Sequence, residues 1–176
     1  MINRSALFID NAYLHKCTPQ NIQIDFEILS DYLCRDTQKL RTYFYDCMPY
    51  QSNPSTENEK IKYSQYSKFI SVIEKLPRFQ TRFGKLSKRE DGSFEQKRVD
   101  ILLAVELVRL SWSKQIGHAI IIAGDSDFVP AIEAAKDAGV IVSLYYSNQS
   151  IHNELLSSVD ERYLMGEDFF NTVKRQ

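Results

Sequence analysis

The stretch Ala-Ile-Ile-Ile-Ala at residues 119–123, followed at once by Gly-Asp-Ser-Asp at 124–127, decides the fold. A continuous apolar, largely β-branched run is typical of a central strand in a parallel sheet that is covered on both faces. Further segments with the composition of strands lie at residues 5–9, 40–45, 79–86 and 140–145. Because these segments alternate with helical patterns, they predict βαβ units and an α/β fold with a parallel sheet.

The segments between these strands have apolar residues at helical spacing or end at helix-terminating residues. We predict helices at residues 26–33, 57–76, 99–112, 128–138 and 151–156. Pro77 ends the second helix, and Gly139 closes the fourth. The third helix is apolar almost all round, which predicts that it is largely buried. Residues 163–173 show no clear pattern, and a turn is predicted at Asp91-Gly92.

The length and charge of the chain bound its class. A chain of 176 residues without an internal repeat or long linker is expected to form one domain over residues 1–176. Its 22 Lys and Arg against 23 Asp and Glu give a net charge of −1, which by itself argues against a nucleic-acid partner. The charge is uneven, however, because residues 75–98 carry +5 and the rest of the chain carries −6.

The basic segment 75–98 also contains aromatic residues, at Phe79, Phe83 and Phe94. Basic side chains interleaved with aromatic rings are typical of a surface that binds single-stranded RNA. A solvated hairpin whose rings lie in the core explains the same pattern, so both interpretations stay open. Lys97 and Arg98 are the stronger candidates for substrate binding because they adjoin Asp100.

Cysteine usage and hydropathy predict the compartment. The chain has three cysteines, at 17, 34 and 47, with no Cys-x-x-Cys pair, and its three histidines are scattered. An odd number of cysteines favours a reducing compartment and argues against structural zinc. No apolar stretch approaches the ~18 residues of a membrane span, and the N-terminus does not read as a signal peptide. A cytoplasmic protein with no membrane partner is therefore expected.

Carboxylates follow two of the predicted strands directly. Asp10 ends the run 7–9, Asp125 and Asp127 follow the run 119–123, and Asp100 opens a helix. In an open α/β sheet the carboxyl ends of the strands face the ligand crevice, so these acids are expected to converge. Like charges stay ionised together only around a cation, and an all-oxygen set suits Mg²⁺ or Mn²⁺. Such a metal can activate water and stabilise charge on a phosphodiester.

Some of these residues also have structural interpretations. Asp127 precedes a predicted helix whose first turn contains Pro130, so it could cap that helix. Asp10 ends an apolar strand and lacks an evident structural role. Gly124 permits a tight turn or a close approach of the backbone to a ligand.

Three blocks of sequence carry a resemblance to a known family. Residues 6–14 (Ala-Leu-Phe-Ile-Asp-Asn-Ala-Tyr-Leu) resemble the opening of NYN domains, in the LabA-like branch of the PIN nuclease superfamily. Residues 96–106 are similar to the K-G-V-D-x-x-L-A-x-D helix of that family, and residues 122–130 to its G-D-S-D-F-x-P signature. Residues 135–140 continue the last block in order.

The resemblance implies a Rossmann-like, three-layer α/β/α sandwich with a central, mainly parallel sheet. It also implies a metal-dependent ribonuclease that uses Mg²⁺ or Mn²⁺. The acids carried over as catalytic and metal-binding residues are Asp10, Asp100, Asp125 and Asp127. Asn11 and Ser126 fall within the motifs and are expected to contact substrate or a metal-bound water.

Two positions depart from the family pattern. Arg98 replaces a usual Gly and adds a charge that favours phosphate binding. Glu106 replaces a usual Asp and lies about 240° around the helix from Asp100, at about 100° per residue, so we predict a peripheral ion pair for it.

The leading hypothesis is a ribonuclease acting on single-stranded RNA, and the alternative is an RNA-binding or regulatory PIN-like module with little or no turnover. A dehalogenase-type nucleophile is disfavoured because Asp-x-Asp is broken by Ala12. A serine esterase built on Ser126 lacks a well-placed histidine. A homodimer is compatible with a small nuclease, although nothing in the sequence requires one.

Overall fold

Seven strands form one sheet in the computed structural model, which describes residues 4–176 apart from the side chain of Gln96. The strands are β1 (Arg4–Asp10), β2 (Gln38–Cys47), β3 (Phe79–Lys88), β4 (Phe94–Lys97), β5 (His118–Ile122), β6 (Ile141–Tyr146) and β7 (Glu161–Leu164). Their order is β4-β3-β2-β1-β5-β6-β7, and every neighbouring pair is parallel except β3 with β4. The predicted α/β fold with a mainly parallel sheet is confirmed. Residues 1–3 of the predicted domain lie outside the described residues.

The helices lie in two layers, one on each face of the sheet. They are α1 (Asn11–Cys17), α2 (Phe26–Leu33), α3 (Glu57–Ile73), α4 (Val99–Trp112), α5 (Val129–Asp137), α6 (Asn153–Ser158) and α7 (Glu167–Val173). The central strands supply alternate side chains to two cores: Phe8 and Ile121 pack with α4 and α5, whereas Ile9 and Ile122 pack with α1, α2 and α7. This double burial explains why 119–123 is apolar throughout.

The sheet changes direction at β1. From β1 the chain adds β2 and β3 on one side, then crosses to add β5, β6 and β7 on the other. The crevice at the carboxyl ends of β1 and β5 is therefore a topological switch point, where open α/β sheets bind ligands.

Several sequence predictions are corrected at the level of elements. Helix α1 follows β1 without a break and was not predicted, and neither was β4. The region 163–173 resolves into the end of β7 and helix α7. A 3₁₀ turn at Ser126–Phe128 precedes α5, so the predicted helix 128–138 begins one turn differently.

Helix α4 has the predicted bounds, but it is not largely buried. Ile101, Val105 and Trp112 are exposed by 65%, 60% and 58% on its outer side. Its inner side packs Leu103, Leu107 and Leu110 into the core, so the all-round apolar composition overstated the burial. No helix within residues 4–176 has the length and hydropathy needed to span a membrane.

Glu106 is the charged residue that α4 does bury, with 6% exposure. Arg82 donates to both of its carboxylate oxygens, at 3.0 and 3.1 Å, and Arg109 donates at 3.0 Å. Tyr45 adds a hydroxyl donor at 3.0 Å. The predicted ion pair is confirmed, and the residue serves to fix α4 on β2 and β3.

We expect Glu106→Ala to lower the free energy of unfolding by roughly 2–3 kcal/mol, because it leaves Arg82 and Tyr45 without their shared partner. Urea unfolding followed by circular dichroism measures the change. Glu95→Ala, which removes exposed ion pairs with Arg89 and Lys97, is the control and should cost less than about 1 kcal/mol. Equal losses for the two variants would contradict the assignment.

Candidate active site

The predicted acids lie at the carboxyl edge of the sheet around β1 and β5. Asp10 is the last residue of β1, and Asp125 follows β5 by three residues. Parallel pairing of β1 with β5 sets Ile9 beside Ile122, so both strands end at the same level. Asp100 reaches this edge from the first turn of α4.

Asp10 is the carboxylate that its surroundings disfavour most among these acids. Burial raises its pKa to about 6, and the charges of Asp100 and Asp46 add to the rise. Backbone N–H groups of Tyr13 and Ala12 act in the opposite direction. A carboxyl group with this pKa is partly protonated near neutrality unless a cation neutralises its neighbours.

Asp100 links Asp10 to the two acids that follow β5. Its pKa is raised, first by burial and then by the charges of Asp125 and Asp127. The four predicted acids thus form one electrostatically connected group with Asp100 in the middle.

The donor chemistry of this group fits a hard divalent cation, because every member offers carboxylate oxygens and the members repel one another. Within residues 4–176, no group of three or more His, Cys, Asp or Glu side chains is arranged as a ready metal cage. The structure therefore brings the acids to one edge without closing them around a point.

Asp10 also has a structural role, which corrects the sequence analysis. Its carboxylate accepts a hydrogen bond from the backbone N–H of Tyr13 at 3.1 Å and caps the N-terminus of α1. Strand β1 passes directly into α1, so the composition of 5–17 contains no break that would reveal the cap. One carboxylate thus ends the strand and starts the helix.

The capping role predicted for Asp127 is wrong. Asp127 is exposed, and Asp125 is the residue that caps the 3₁₀ turn, accepting from the backbone N–H of Asp127 at 3.1 Å. Asp125 and Asp127 therefore differ in environment, since the carboxylate of Asp125 is tied to the backbone.

His152 lies beside this turn, which the sequence analysis did not anticipate. Its Nδ1 lies 3.1 Å from Ser126 Oγ and 3.8 Å from Asp125 Oδ1, and the backbone N–H of Ser126 donates to it. Both side chains meet the same ring nitrogen, whereas a serine hydrolase relay uses both nitrogens. The esterase alternative remains disfavoured for this geometric reason.

A fifth acid, Asp46, belongs to the same edge and was missed. It lies near the end of β2 with 7% exposure, next to β1 in the sheet. Asn11 Nδ2 donates to Asp46 Oδ2 at 2.5 Å, and the hydroxyl of Tyr66 donates to the same oxygen. The backbone N–H of Cys47 donates to Oδ1 at 2.7 Å.

The signal that identified Asp10 would have found Asp46 as well. Both residues follow an apolar strand, but the predicted strand ended at residue 45 and its following acid was not considered. Asn11 had been predicted to bind substrate. With 8% exposure and its amide directed at Asp46, it instead holds the side chains of this edge in place.

Lys97 and Arg98 are both exposed, at the junction of β4 and α4 next to Asp100. Arg98 has a left-handed backbone conformation with φ of 76°. Such a conformation is strained for a residue with a Cβ, which explains why the family pattern has Gly here. Gly84 faces this junction, because a Cβ there would lie 2.4 Å from the carbonyl oxygen of Lys97.

Gly124 is explained by a close approach, as predicted, but the neighbour is Tyr13 rather than a ligand. A Cβ on Gly124 would lie 2.1 Å from the Tyr13 ring and 2.8 Å from the carbonyl oxygen of Ser150. The Tyr13 hydroxyl accepts from the backbone N–H of Ser147 at 3.0 Å. Tyr13 thus fixes the loop after β6 against the acid edge.

The family model for the NYN domain matches residues 4–165. The chain therefore belongs to the NYN domain family, which lies in the PIN-like nuclease superfamily. NYN domains are generally nucleases and generally bind RNA. The assignment to the LabA-like branch stays a prediction.

Two solved structures are similar to the chain. A protein of unknown function from Vibrio parahaemolyticus RIMD 2210633, VPA0982, is 16% identical with a TM-score of 0.67, and 96% of each chain is covered. It supports the fold alone. A phosphofructokinase-2 mutant from Escherichia coli is 11% identical with a TM-score of 0.37, covering 98% of this chain and 68% of its own, and carries no argument. No curated protein matches the chain.

Asp10→Asn should stabilise the metal-free protein at pH 7.5. Because the folded pKa of about 6 lies above the ordinary value of 3.8, stability falls as the pH rises from about 4 to about 6. The ionised carboxylate then costs roughly 2–3 kcal/mol. Asparagine removes the charge and still caps α1.

Urea unfolding in EDTA between pH 4 and pH 8 measures this effect. The stability gain of Asp10→Asn should shrink as the pH is lowered from 6 to 4. Asp137→Asn, at the exposed end of α5, is the matched control and should show a small, nearly constant effect. A loss of stability at pH 7.5 for Asp10→Asn would refute the electrostatic assignment.

Proposed function

We propose that this protein is a metal-dependent ribonuclease that hydrolyses phosphodiester bonds in single-stranded RNA. The observation that carries the proposal is the convergence of Asp10, Asp100 and Asp125 at the switch point of an NYN fold, where burial and mutual repulsion disfavour their charges. Such a cluster is stable when a cation is present, and RNA is the substrate class expected of the family.

The carboxylates of Asp10, Asp100, Asp125 and Asp127 would hold Mg²⁺ or Mn²⁺. When bound, the metal supplies an activated water and stabilises the charge that develops on the phosphodiester. Mg²⁺ keeps several waters and binds through only one or two carboxylates plus substrate phosphates, so a closed protein cage is unnecessary.

The surrounding residues position these acids and attract the substrate. Asn11 and Tyr66 hold Asp46, which lies beside Asp10 and adds negative charge to the edge. Ser126 lies between Asp125 and Asp127 with its hydroxyl free to rotate toward substrate or His152. Lys97 and Arg98 would contact phosphates next to the scissile bond.

Purified protein should degrade single-stranded RNA when Mn²⁺ or Mg²⁺ is supplied. Asp10→Asn and Asp125→Asn should each lower kcat on the order of 100-fold or more, because each removes a proposed metal-binding carboxylate. Asp137→Asn is the matched control and should cleave like the wild type. A labelled oligonucleotide resolved on a gel gives the rate.

Two outcomes of that assay would overturn the proposal. Equal cleavage by the wild type and both site variants would indicate a contaminating nuclease. RNA binding without cleavage under either metal would instead support the RNA-binding or regulatory module.

Arg98→Gly tests the proposed phosphate contact. Glycine relieves the left-handed strain, so the variant should unfold with about 1 kcal/mol more free energy. Its RNA affinity should fall, and the slope of log K against log salt should decrease by about one. Lys114→Gly is the matched control, since Lys114 has φ of 55° beyond the other end of α4. It should leave RNA binding unchanged, and equal binding by both variants would remove Arg98 from the substrate surface.

A further inference from the structure

An open cavity of about 590 Å³ lies beside the acid edge, between the loop that follows α1 and helix α3. Its wall includes Ile22 and Phe26 on one side and Tyr66 and Phe69 on the other. Its volume falls in the range of small-molecule sites, roughly 300–1,000 Å³, and exceeds that of one nucleobase. The acids and the basic segment do not line this cavity, so neither explains it.

The aromatic wall is centred on Phe69. Its ring centroid lies 5.9 Å from that of Phe26, 5.7 Å from that of Tyr66 and 6.1 Å from that of Phe44. Phe44 is fully buried, whereas Phe26, Tyr66 and Phe69 are half-buried. The rings therefore pack on their inner side against the core and offer aromatic surface to the cavity on the other.

Two residues belong both to the cavity and to the acid edge. Asn11 directly follows Asp10, and its amide and the Tyr66 hydroxyl donate to the same oxygen of Asp46. The cavity wall and the edge that carries Asp10 are thus joined by shared hydrogen bonds.

A cation stands at the same cavity. Lys16 contributes to the lining, and its ammonium group donates to Ser150 Oγ at 3.0 Å, in the loop that precedes His152. The side chain therefore bridges the cavity and the loop beside Asp125. A positive group at this place is complementary to the phosphates of a strand that runs along the acid edge.

We propose that this cavity binds one unpaired nucleobase of the RNA strand whose phosphodiester lies at the acid edge. The inference rests on the proposed function, because the base enters as part of the ribonuclease substrate. Phe69 supplies the stacking face, with Tyr66 and Phe26 beside it, and Lys16 attracts an adjacent phosphate. A base held in a duplex is stacked and paired, so the cavity selects single strands.

Binding of three labelled probes tests the proposal: a ten-nucleotide oligouridine, an abasic ribose-phosphate strand of equal length, and an RNA duplex. Fluorescence anisotropy is measured in an Asp125→Asn background so that the probes stay intact. Phe69→Leu keeps most of the apolar volume but removes the aromatic face. It should weaken oligouridine binding about tenfold and leave abasic-strand binding unchanged.

Two further variants guard the test. Ile22→Trp fills the cavity from the opposite wall without disturbing the aromatic cluster, and should give the same selective loss. Phe170→Leu, on α7 and outside the cavity, is the matched control and should bind oligouridine normally. Circular dichroism confirms that each variant is folded.

Unchanged oligouridine affinity in folded Phe69→Leu or Ile22→Trp would overturn the cavity proposal. An equal loss for the oligouridine and abasic strands would also overturn it, because the base would then contribute nothing. The fate of the proposed function is read separately from cleavage by the wild type. Base-dependent binding without cleavage would retain the cavity and refute the nuclease, and cleavage that is indifferent to Phe69 would do the reverse.

Discussion

The pairing of β1 between β2 and β5 is the constraint on which the rest of the structure depends. Both faces of β1 are covered, and its neighbours leave in opposite directions across the sheet. The strand therefore ends in a crevice rather than under a connection, and its last residue is Asp10. The same pairing sets the level at which Asp46 on β2 and Asp125 after β5 approach it.

The position of Asp10 brings stability and function into conflict. Burial and neighbouring charge disfavour its ionised form, although its carboxylate caps α1. A neutral side chain would satisfy the fold better at neutral pH, yet a neutral side chain would not bind a divalent cation. Residues that cost stability at one edge of a well-packed sheet are a feature of functional sites. Glu106 shows the contrast, because its buried charge is fully matched by Arg82, Arg109 and Tyr45.

Asp46 connects the acid edge to the other face of the molecule. Through Asn11 and Tyr66 it joins the end of β1 to helix α3, whose half-buried rings wall the neighbouring cavity. A change in the position of α3 would thus reach Asp46 first and Asp10 through it. The acids and the aromatic wall are held as one unit, which is the arrangement needed to align a phosphodiester and its base.

The sequence by itself determined the fold class and most of the acids. The run 119–123 is apolar at every position, which only a doubly covered strand requires, and the acids at 10 and 125 follow their strands directly. The tertiary structure alone decided what depends on neighbours distant in the chain. It showed that α4 exposes Ile101, Val105 and Trp112, since composition cannot tell which side of a helix meets the sheet. It also placed Asp46, Tyr66 and His152, because their contacts span 20 to 35 residues of chain and are set by strand order and not by local pattern.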